Sequence, residues 1–339
     1  IAHYFFADCI FKSPNVIPFF MARGIDFDFL KDETVVLCSR EFSKALDIET
    51  KIATPTGYTR MGDIKKGDMV IARDGRPTEV LSKSRTFFDP GHETYKLTDK
   101  QRKGYECKYF IPMMDNPIEF EPIIETLDPY TVGLILGDGS IDKDTGFTRL
   151  TAHEDDWIEY KKHIPYEIGT EYRKKGQEHI VFGSIKKIGP IVKKYIGTEI
   201  VYDKRIPKDL LTGSVRQRVS VLQGLMDTDG TINQKGSMTF ASRSIGLAED
   251  VQNIVRSLGG ISNISERKTP SDFGIVYSVS VSLNNVECFR LPRKLERQSD
   301  FQMRRAMIGV KSIEMIDTRL TQCITVASPT SSYILENGL

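Results

Sequence analysis

Two stretches decide how this chain reads: PYTVGLILGDGSI, Pro129–Ile141, and VLQGLMDTDGTI, Val221–Ile232. They are near-copies of one motif, and a repeat at a spacing of roughly ninety residues predicts two similar units. Each is an apolar run with helical spacing that ends in Asp-Gly. Gly133 aligns with Gly224, and Asp138 with Asp229. The Asp-Gly pair is followed by Ser-Ile in one copy and Thr-Ile in the other, a helix stop that leads into a strand.

The chemistry follows from the spacing. Gly133 and Gly137 lie on one face of the first helix, and Gly224 and Thr228 take the same places on the second. Small residues along one face let two helices approach closely and pack side by side. Their C-terminal ends would then bring Asp138 and Asp229 together. Two carboxylates held close repel each other unless a proton or a cation sits between them. With hard oxygen ligands the cation is Mg²⁺, and paired carboxylates on Mg²⁺ are a usual arrangement for phosphodiester cleavage. Two amphipathic core helices with Asp-Gly turns would share part of this pattern, but two copies in register favour a functional pair.

At these residues the sequence resembles the LAGLIDADG homing endonucleases, specifically those embedded in inteins. In that family the last acid of each motif binds the metal, which implies Asp138 and Asp229, with Gly137 and Thr228 beside them in the metal site. Asp227 aligns with Leu136 and is not the paired acid. The family also often has a Lys before the second motif, in a K-x-I-P string. Here that string is Lys204-Arg205-Ile206-Pro207, which implies Lys204. A second Lys often follows the second unit. Lys294 in FRLPRKLER is the best match, with Arg293 and Arg297 close by. A cation near the scissile phosphate would stabilise developing negative charge. A lysine at either position is otherwise a solvated surface charge.

Composition bounds the alternatives. The 339 residues suffice for two or three domains. The balance of 47 basic and 46 acidic residues gives no global nucleic-acid signal, so a DNA surface must come from local clustering. Five cysteines without metal-like spacing fit a reduced, cytoplasmic setting. No apolar run reaches transmembrane length, and no signal peptide is recognisable.

Residues 1–44 read differently from the rest. A β-like run, Thr34–Cys38, leads into Ser39-Arg40-Glu41-Phe42-Ser43-Lys44. A strand leading to a loop that ends in Lys looks like half of a phosphate-binding loop. It resembles the variant Walker A loop of phage terminase large subunits, with Arg40 early, Lys44 last, and Ser43 in place of the usual Gly. The resemblance implies a host fragment interrupted at the Lys44–Ala45 junction, and a phage protein inside its host cell.

From Ala45 to about residue 125, β-like segments alternate with Gly turns. ALDIETKIATPTGYTRMGDIKKGDMVIARDGRPTEV resembles the first block of an intein splicing domain, with Thr50, Ile52, Thr54-Pro55, Gly57 and Gly67-Asp68-x-Val70 at the family's spacing. Ala45 stands where the family usually has a Cys or Ser nucleophile. No His has Thr three positions before it, so the Thr-x-x-His block is missing. Tyr95–Ile111 looks like the flanks of that block joined after a deletion. At the other end, residues 312–339 contain CITVASPTSSYILENGL, which resembles the C-terminal intein block but stops before His-Asn. Splicing by this chain as given is not expected to complete.

Between them, residues 126–311 are the expected two-unit endonuclease. The pattern predicts a strand near Phe147–Thr151, a helix near Asp155–His163, a β pair around Glu171–Phe182 and a helix Ile185–Tyr195. The second unit repeats this order with Ser237–Ala241, helix Ala248–Leu258, strands Ile261–Glu266 and Ile275–Leu283, and a helix starting near Asn285. Arg173, Lys174 and Lys175 occupy one hairpin, and Arg267 and Lys268 its counterpart. These are expected to contact DNA phosphates across a saddle-shaped pair of sheets. The expected fold class is α+β: an all-β split intein (Hint-type) splicing domain plus a pseudo-twofold endonuclease of two αββαββα units. The expected activity is Mg²⁺-dependent double-strand cleavage by a monomer at an asymmetric site in the intein-less host gene. The alternative is a splicing element whose endonuclease unit is structural or only binds DNA.

Overall fold

A computed structural model of the chain describes residues 46–86, 94–100, 110–112, 114–197, 202–268, 274–298, 307–316, 319–330 and 332–336. Residues 1–45, with Arg40, Lys44 and Ala45, and Asn337-Gly338 lie outside the described residues. The chain divides into two compact units. One continuous unit, Phe120–Met303, is flanked in sequence by the two segments that build the other.

The flanking unit is all-β among its described residues, apart from one 3-10 turn at Met61–Asp63. Its strands are β1 (Leu46–Asp47), β2 (Lys51–Thr54), β3 (Gly57–Arg60), β4 (Met69–Ile71), β5 (Pro77–Lys83), β6 (Thr94–Lys100) and β7 (Phe110–Pro112). The later segment adds β16 (Met307–Ile316), β17 (Thr321–Gln322) and β18 (Ile324–Val326). Each late strand pairs antiparallel with an early one: β17 with β1, β18 with β5, and β16 with β6 and β7. Ile52, Met61, Ile64, Val70, Val80, Ile324 and Val326 form a core shared by both segments. Because β16 belongs to this sheet, the continuous unit ends at Met303, short of the residue 311 expected from sequence.

The continuous unit is built twice over. Its first half runs α1 (Pro129–Asp138), β8 (Gly139–Ile141), β9 (Thr148–His153), α2 (Glu154–His163), β10 (Ile168–Lys174), β11 (Gln177–Ile185) and α3 (Gly189–Tyr195). A linker carries a single-turn helix, α4 (Lys208–Leu211). The second half runs α5 (Val215–Thr228), β12 (Gly230–Ile232), β13 (Met238–Ser242), α6 (Ile245–Ser257), β14 (Ile264–Lys268), β15 (Ile275–Val281) and α7 (Pro292–Leu295). Both halves are therefore αββαββα. Their sheets have the same order, β8-β9-β11-β10 and β12-β13-β15-β14. The order has a simple cause: a short hairpin follows each first helix, and the second hairpin inserts its later strand beside the middle of the sheet.

Local chemistry sets the helix limits. Asp128 caps α1 by accepting from the Thr131 amide at 2.8 Å, and Pro129 at the first position has no amide to satisfy. Ser214 and Gln217 form a reciprocal capping box on α5. Two sequence expectations fail here. Ile185 ends a strand and the next helix starts only at Gly189, because an apolar residue at a strand end reads equally as a helix start. No helix begins at Asn285. That residue has φ of 54°, a left-handed turn, and only the four residues Pro292–Leu295 become helical.

Candidate functional site

The site is set by how closely α1 and α5 pack. A Cβ at Gly133 would stand 2.4 Å from the Val221 carbonyl oxygen, and one at Gly224 would stand 2.3 Å from that of Tyr130. The two glycines thus face each other reciprocally and permit backbone contact. One helical turn later, a Cβ at Gly137 would meet Thr228 Oγ1 at 2.0 Å. Thr228 is larger than its counterpart, and Gly137 is the complement that makes room for it. Thr228 Oγ1 turns back to donate to the carbonyls of Leu225 and Gly224, at 2.9 and 3.1 Å.

Asp138 is the last residue of α1 and Asp229 caps α5, so the two carboxylates emerge at the same end of the seam. Asp138 is exposed and Asp229 half-buried, which leaves both open to solvent. Desolvation pushes both carboxyls above the usual range. Asp229 reaches about 6, with the Asp138 charge adding to the effect, and Lys204 and Lys294 pull both back down. The Asp138 charge acting on Asp229 puts the two acids within electrostatic reach of each other.

Each lysine occupies a helix C-terminus. Lys204 Nζ donates to the carbonyls of Leu136 and Gly137 in α1, at 2.7 and 3.1 Å. Lys294 Nζ donates to Met226, Asp227 and Gly230 at 2.6–2.8 Å, and to Thr228 at 3.4 Å, around the end of α5. Unpaired carbonyls and the negative end of the helix dipole favour a cation there. Lys294 is only 6% exposed, so it is not a solvated surface charge. Burial, with Arg293 next to it, lowers its pKa to about 8. Burial also lowers that of Lys204, against the opposing pull of Asp229 and Asp138.

The residues fit a hard divalent cation held by few protein ligands. Two solvent-facing carboxylates supply anionic oxygen, and among the described residues no cluster of three or more acids, His or Cys offers a closed cage. Such a cation keeps waters and takes further oxygens from a phosphate. The Gly137 and Thr228 carbonyls, expected in the metal site, each accept a lysine.

Beneath this surface lies a polar cluster that sequence reading left aside. Asp227 is 1% exposed. It accepts from Tyr130 Oη at 2.7 Å and from the Arg290 and Leu291 amides, while the Arg290 guanidinium lies over the Tyr130 ring at 4.2 Å. Asp227 is therefore structural: it joins α1, α5 and the segment leading to Lys294. Its signal in the sequence was a charge inside an apolar run, where the first copy has Leu136.

The expected DNA-contacting residues divide by face. Phe240, Val279 and Val281 point inward, so alternation turns Thr239, Ser278 and Ser280 outward on the second sheet, with Arg267 on its exposed edge strand. Lys268 ends that strand, and residues 269–273 beyond it lie outside the described residues. On the first sheet the outward face is aromatic and cationic. Tyr172 stacks on Phe182 with centroids 5.1 Å apart, Arg149 lies over Tyr172 at 5.3 Å, and Lys174 over Phe182 at 4.7 Å. Lys175 sits exposed in the hairpin turn beside Gly176. Arg173 alternates to the other side and pairs with Glu154 at 3.3 Å.

Comparison with known proteins bears on this geometry. A replicative DNA helicase DnaB of Mycobacterium intracellulare is 23% identical over 371 residues, covering 91% of this chain. The chain spans 59% of that relative's length. A crystal structure of the MchDnaB-1 intein is 36% identical over 16% of this chain and 41% of its own, at a TM-score of 0.15. The crystal structure of I-DmoI in complex with DNA and Mn is 15% identical over 46% of this chain and 89% of its own, at a TM-score of 0.31. The family described as LAGLIDADG-like domain matches residues 216–291, which run from α5 to the segment before α7. The second half of the continuous unit, with Asp229 at its helix end, thus holds the stretch that is similar to the LAGLIDADG-like domain.

Proposed function

We propose that the unit Phe120–Met303 is a site-specific, Mg²⁺-dependent endonuclease that cuts both strands of duplex DNA. The observation that carries this reading is the glycine-mediated seam that puts Asp138 and Asp229 at one end of two helices, each end occupied by a lysine. A bound divalent cation would supply an activated water and charge stabilisation for in-line attack at phosphorus. Asp138 and Asp229 would hold it, one carboxylate serving each strand. Lys204 and Lys294 offset the negative helix ends and both carboxylates, so that the acids ionise together and the phosphate is not repelled. Lys174, Lys175, Arg267 and Lys268 would hold backbone phosphates, and the unlike outer faces of the two sheets would read an asymmetric site.

In the same proposal the flanking β unit is a split splicing domain, with the nuclease inserted between its segments. Residues 1–44 are a host fragment of the terminase type, and the target spans the Lys44–Ala45 junction in the uninterrupted gene. The test is cleavage of a plasmid carrying that gene, with Mg²⁺, by the parent and by Asp138→Asn and Asp229→Asn. Linearisation by the parent, lost in both variants, is expected. Tight binding without cutting by the parent would reduce the unit to a DNA-binding module.

A further inference from the structure

Both lysines stand beside an arginine, and both arginines reach a buried aspartate on the second helix of the opposite half. Arg205 Nη2 lies 2.8 Å from Asp250 Oδ1, and Asp250 is fully buried in α6. The same carboxylate accepts from the Ile206 amide at 2.9 Å. Ser244 Oγ, at the start of α6, donates to the Lys204 carbonyl at 2.8 Å. The main chain from Lys204 to Ile206 is therefore fastened along α6, while the Lys204 side chain crosses to the end of α1. Arg205 passes directly over Gly246, where a Cβ would stand 2.4 Å from Arg205 Cδ.

The other lysine is held by the same logic through different residues. The Arg290 and Leu291 amides fasten the chain to Asp227 of α5. Arg293 then crosses to α2 and makes a bidentate pair with Asp156, Nε to Oδ1 at 2.7 Å and Nη2 to Oδ2 at 2.6 Å. Lys294, the next residue, fills the end of α5. The order is Lys-Arg in one tie and Arg-Lys in the other. Asp156 is the third residue of α2 and Asp250 the sixth of α6, one turn further along the same face. The two ties are not copies carried by the sequence repeat, yet both connect the carboxylate-bearing helix of one half to the second helix of the other.

We infer that Arg205–Asp250 and Arg293–Asp156 are positioning pairs, each of which sets one lysine at one helix end and thereby controls cleavage of one DNA strand. This rests on the endonuclease reading for its effect on DNA, but not for its effect on the lysines. Arg293 is held at two points by Asp156, and Arg205 at one point by Asp250 and at another by Glu249, 3.1 Å from its Nη1; a planar guanidinium so held fixes direction as well as distance. A reacting geometry displaced by about 1 Å loses on the order of 100-fold in rate. Losing one tie should therefore slow one strand by roughly 10- to 100-fold and spare the other.

The full chain carrying Arg205→Gln, Arg293→Gln or Gly246→Ala would be compared with the parent on a plasmid whose strands are separately labelled. The inference expects nicked circles to accumulate, with opposite strands left intact by Arg205→Gln and Arg293→Gln. Gly246→Ala, which displaces the Arg205 side chain without removing its charge, should match Arg205→Gln, and Arg293→Lys should recover part of the loss. A second readout needs no cleavage: brief acetylation of free amines, read by mass spectrometry at each lysine. Arg293→Gln should raise labelling of Lys294 and leave Lys204 protected, and Arg205→Gln should do the reverse. Equal slowing of both strands, or unchanged labelling of both lysines, overturns the inference. A parent that does not cut, with labelling that responds as stated, removes the endonuclease reading and leaves the ties in place.

Discussion

Replacing Gly133 by Ala tests the seam, because two opposing effects fix the sign of the result. In an isolated helix the change favours folding by about 1 kcal/mol. In this protein the new Cβ would stand 2.4 Å from the Val221 carbonyl oxygen and 2.8 Å from Gly224 Cα and Leu225 N. Non-bonded carbon needs about 3.5 Å, so the helices must part by about 1 Å. Overpacking of this kind costs about 1–3 kcal/mol. The obstruction is backbone, which has no rotamer to yield, so the upper end applies. The net loss is about 2 kcal/mol, or a fall in Tm of roughly 4–8 °C for a unit of this size. Differential scanning calorimetry of the variant beside the parent reads it directly. A variant that melts at or above the parent would show that propensity wins and that the helices do not touch through Gly133.

Four further outcomes are expected. Lys294→Met should lower stability in urea by about 3 kcal/mol by stranding buried carbonyls; Lys204→Met, at a half-buried position with two partners, should cost about 1 kcal/mol. Asp250, raised to about 6 by burial, binds a proton in the folded state that the unfolded chain releases near 4. Its contribution is fully present below about pH 4 and lost as pH rises through about 6, so stability should fall by up to about 3 kcal/mol across that window. Urea titrations of Asp250→Asn over the same range should show a slope shallower by this amount, the part left being that of Asp229 and the other raised carboxyls. In DNA binding followed by anisotropy, Lys174→Ala and Arg267→Ala should each reduce the salt slope by about 1, whereas Arg173→Ala, already paired with Glu154, should change it less. Addition of Mg²⁺ should raise the parent's Tm and leave that of the Asp138→Asn, Asp229→Asn double variant unmoved.

What the sequence made legible was whatever is encoded within one turn or one strand. Gly133, Gly137, Gly224 and Thr228 share a helical face by period alone, so the seam was readable, and the Asp-Gly stops placed Asp138 and Asp229 at its end. Lys204 stood in a short string. The partners of the lysines were not legible, because Arg293 and Asp156 lie 137 residues apart and meet only when the halves assemble. The same reason hid the burial of Lys294: a Lys between Arg and Leu in a charged run reads as surface until the α5 carbonyls are placed around it. The left-handed turn at Asn285 also escaped, since a single residue of positive φ leaves no periodic trace.

The two halves share a fold but not an interior, and the difference falls on the chemistry. Where the first helix has Leu136, the second has Asp227, which is fully buried and tied to Tyr130, Arg290 and Leu291. A buried carboxylate is stable only with such partners, and removing one of them strands the charge. Lys204 meets two carbonyls and Lys294 four, so the α5 end is the more rigidly held. Asp229 is also the more enclosed of the paired acids, and the one lifted to about 6. If the unit cuts duplex DNA as proposed, a site with one firm end and one open end would treat the two strands unequally even when both carboxylates are intact. Under that proposal the order of cleavage would be set by the protein's interior as well as by the bases it meets, with the strand at the open Asp138 end the one more sensitive to how Lys204 is held.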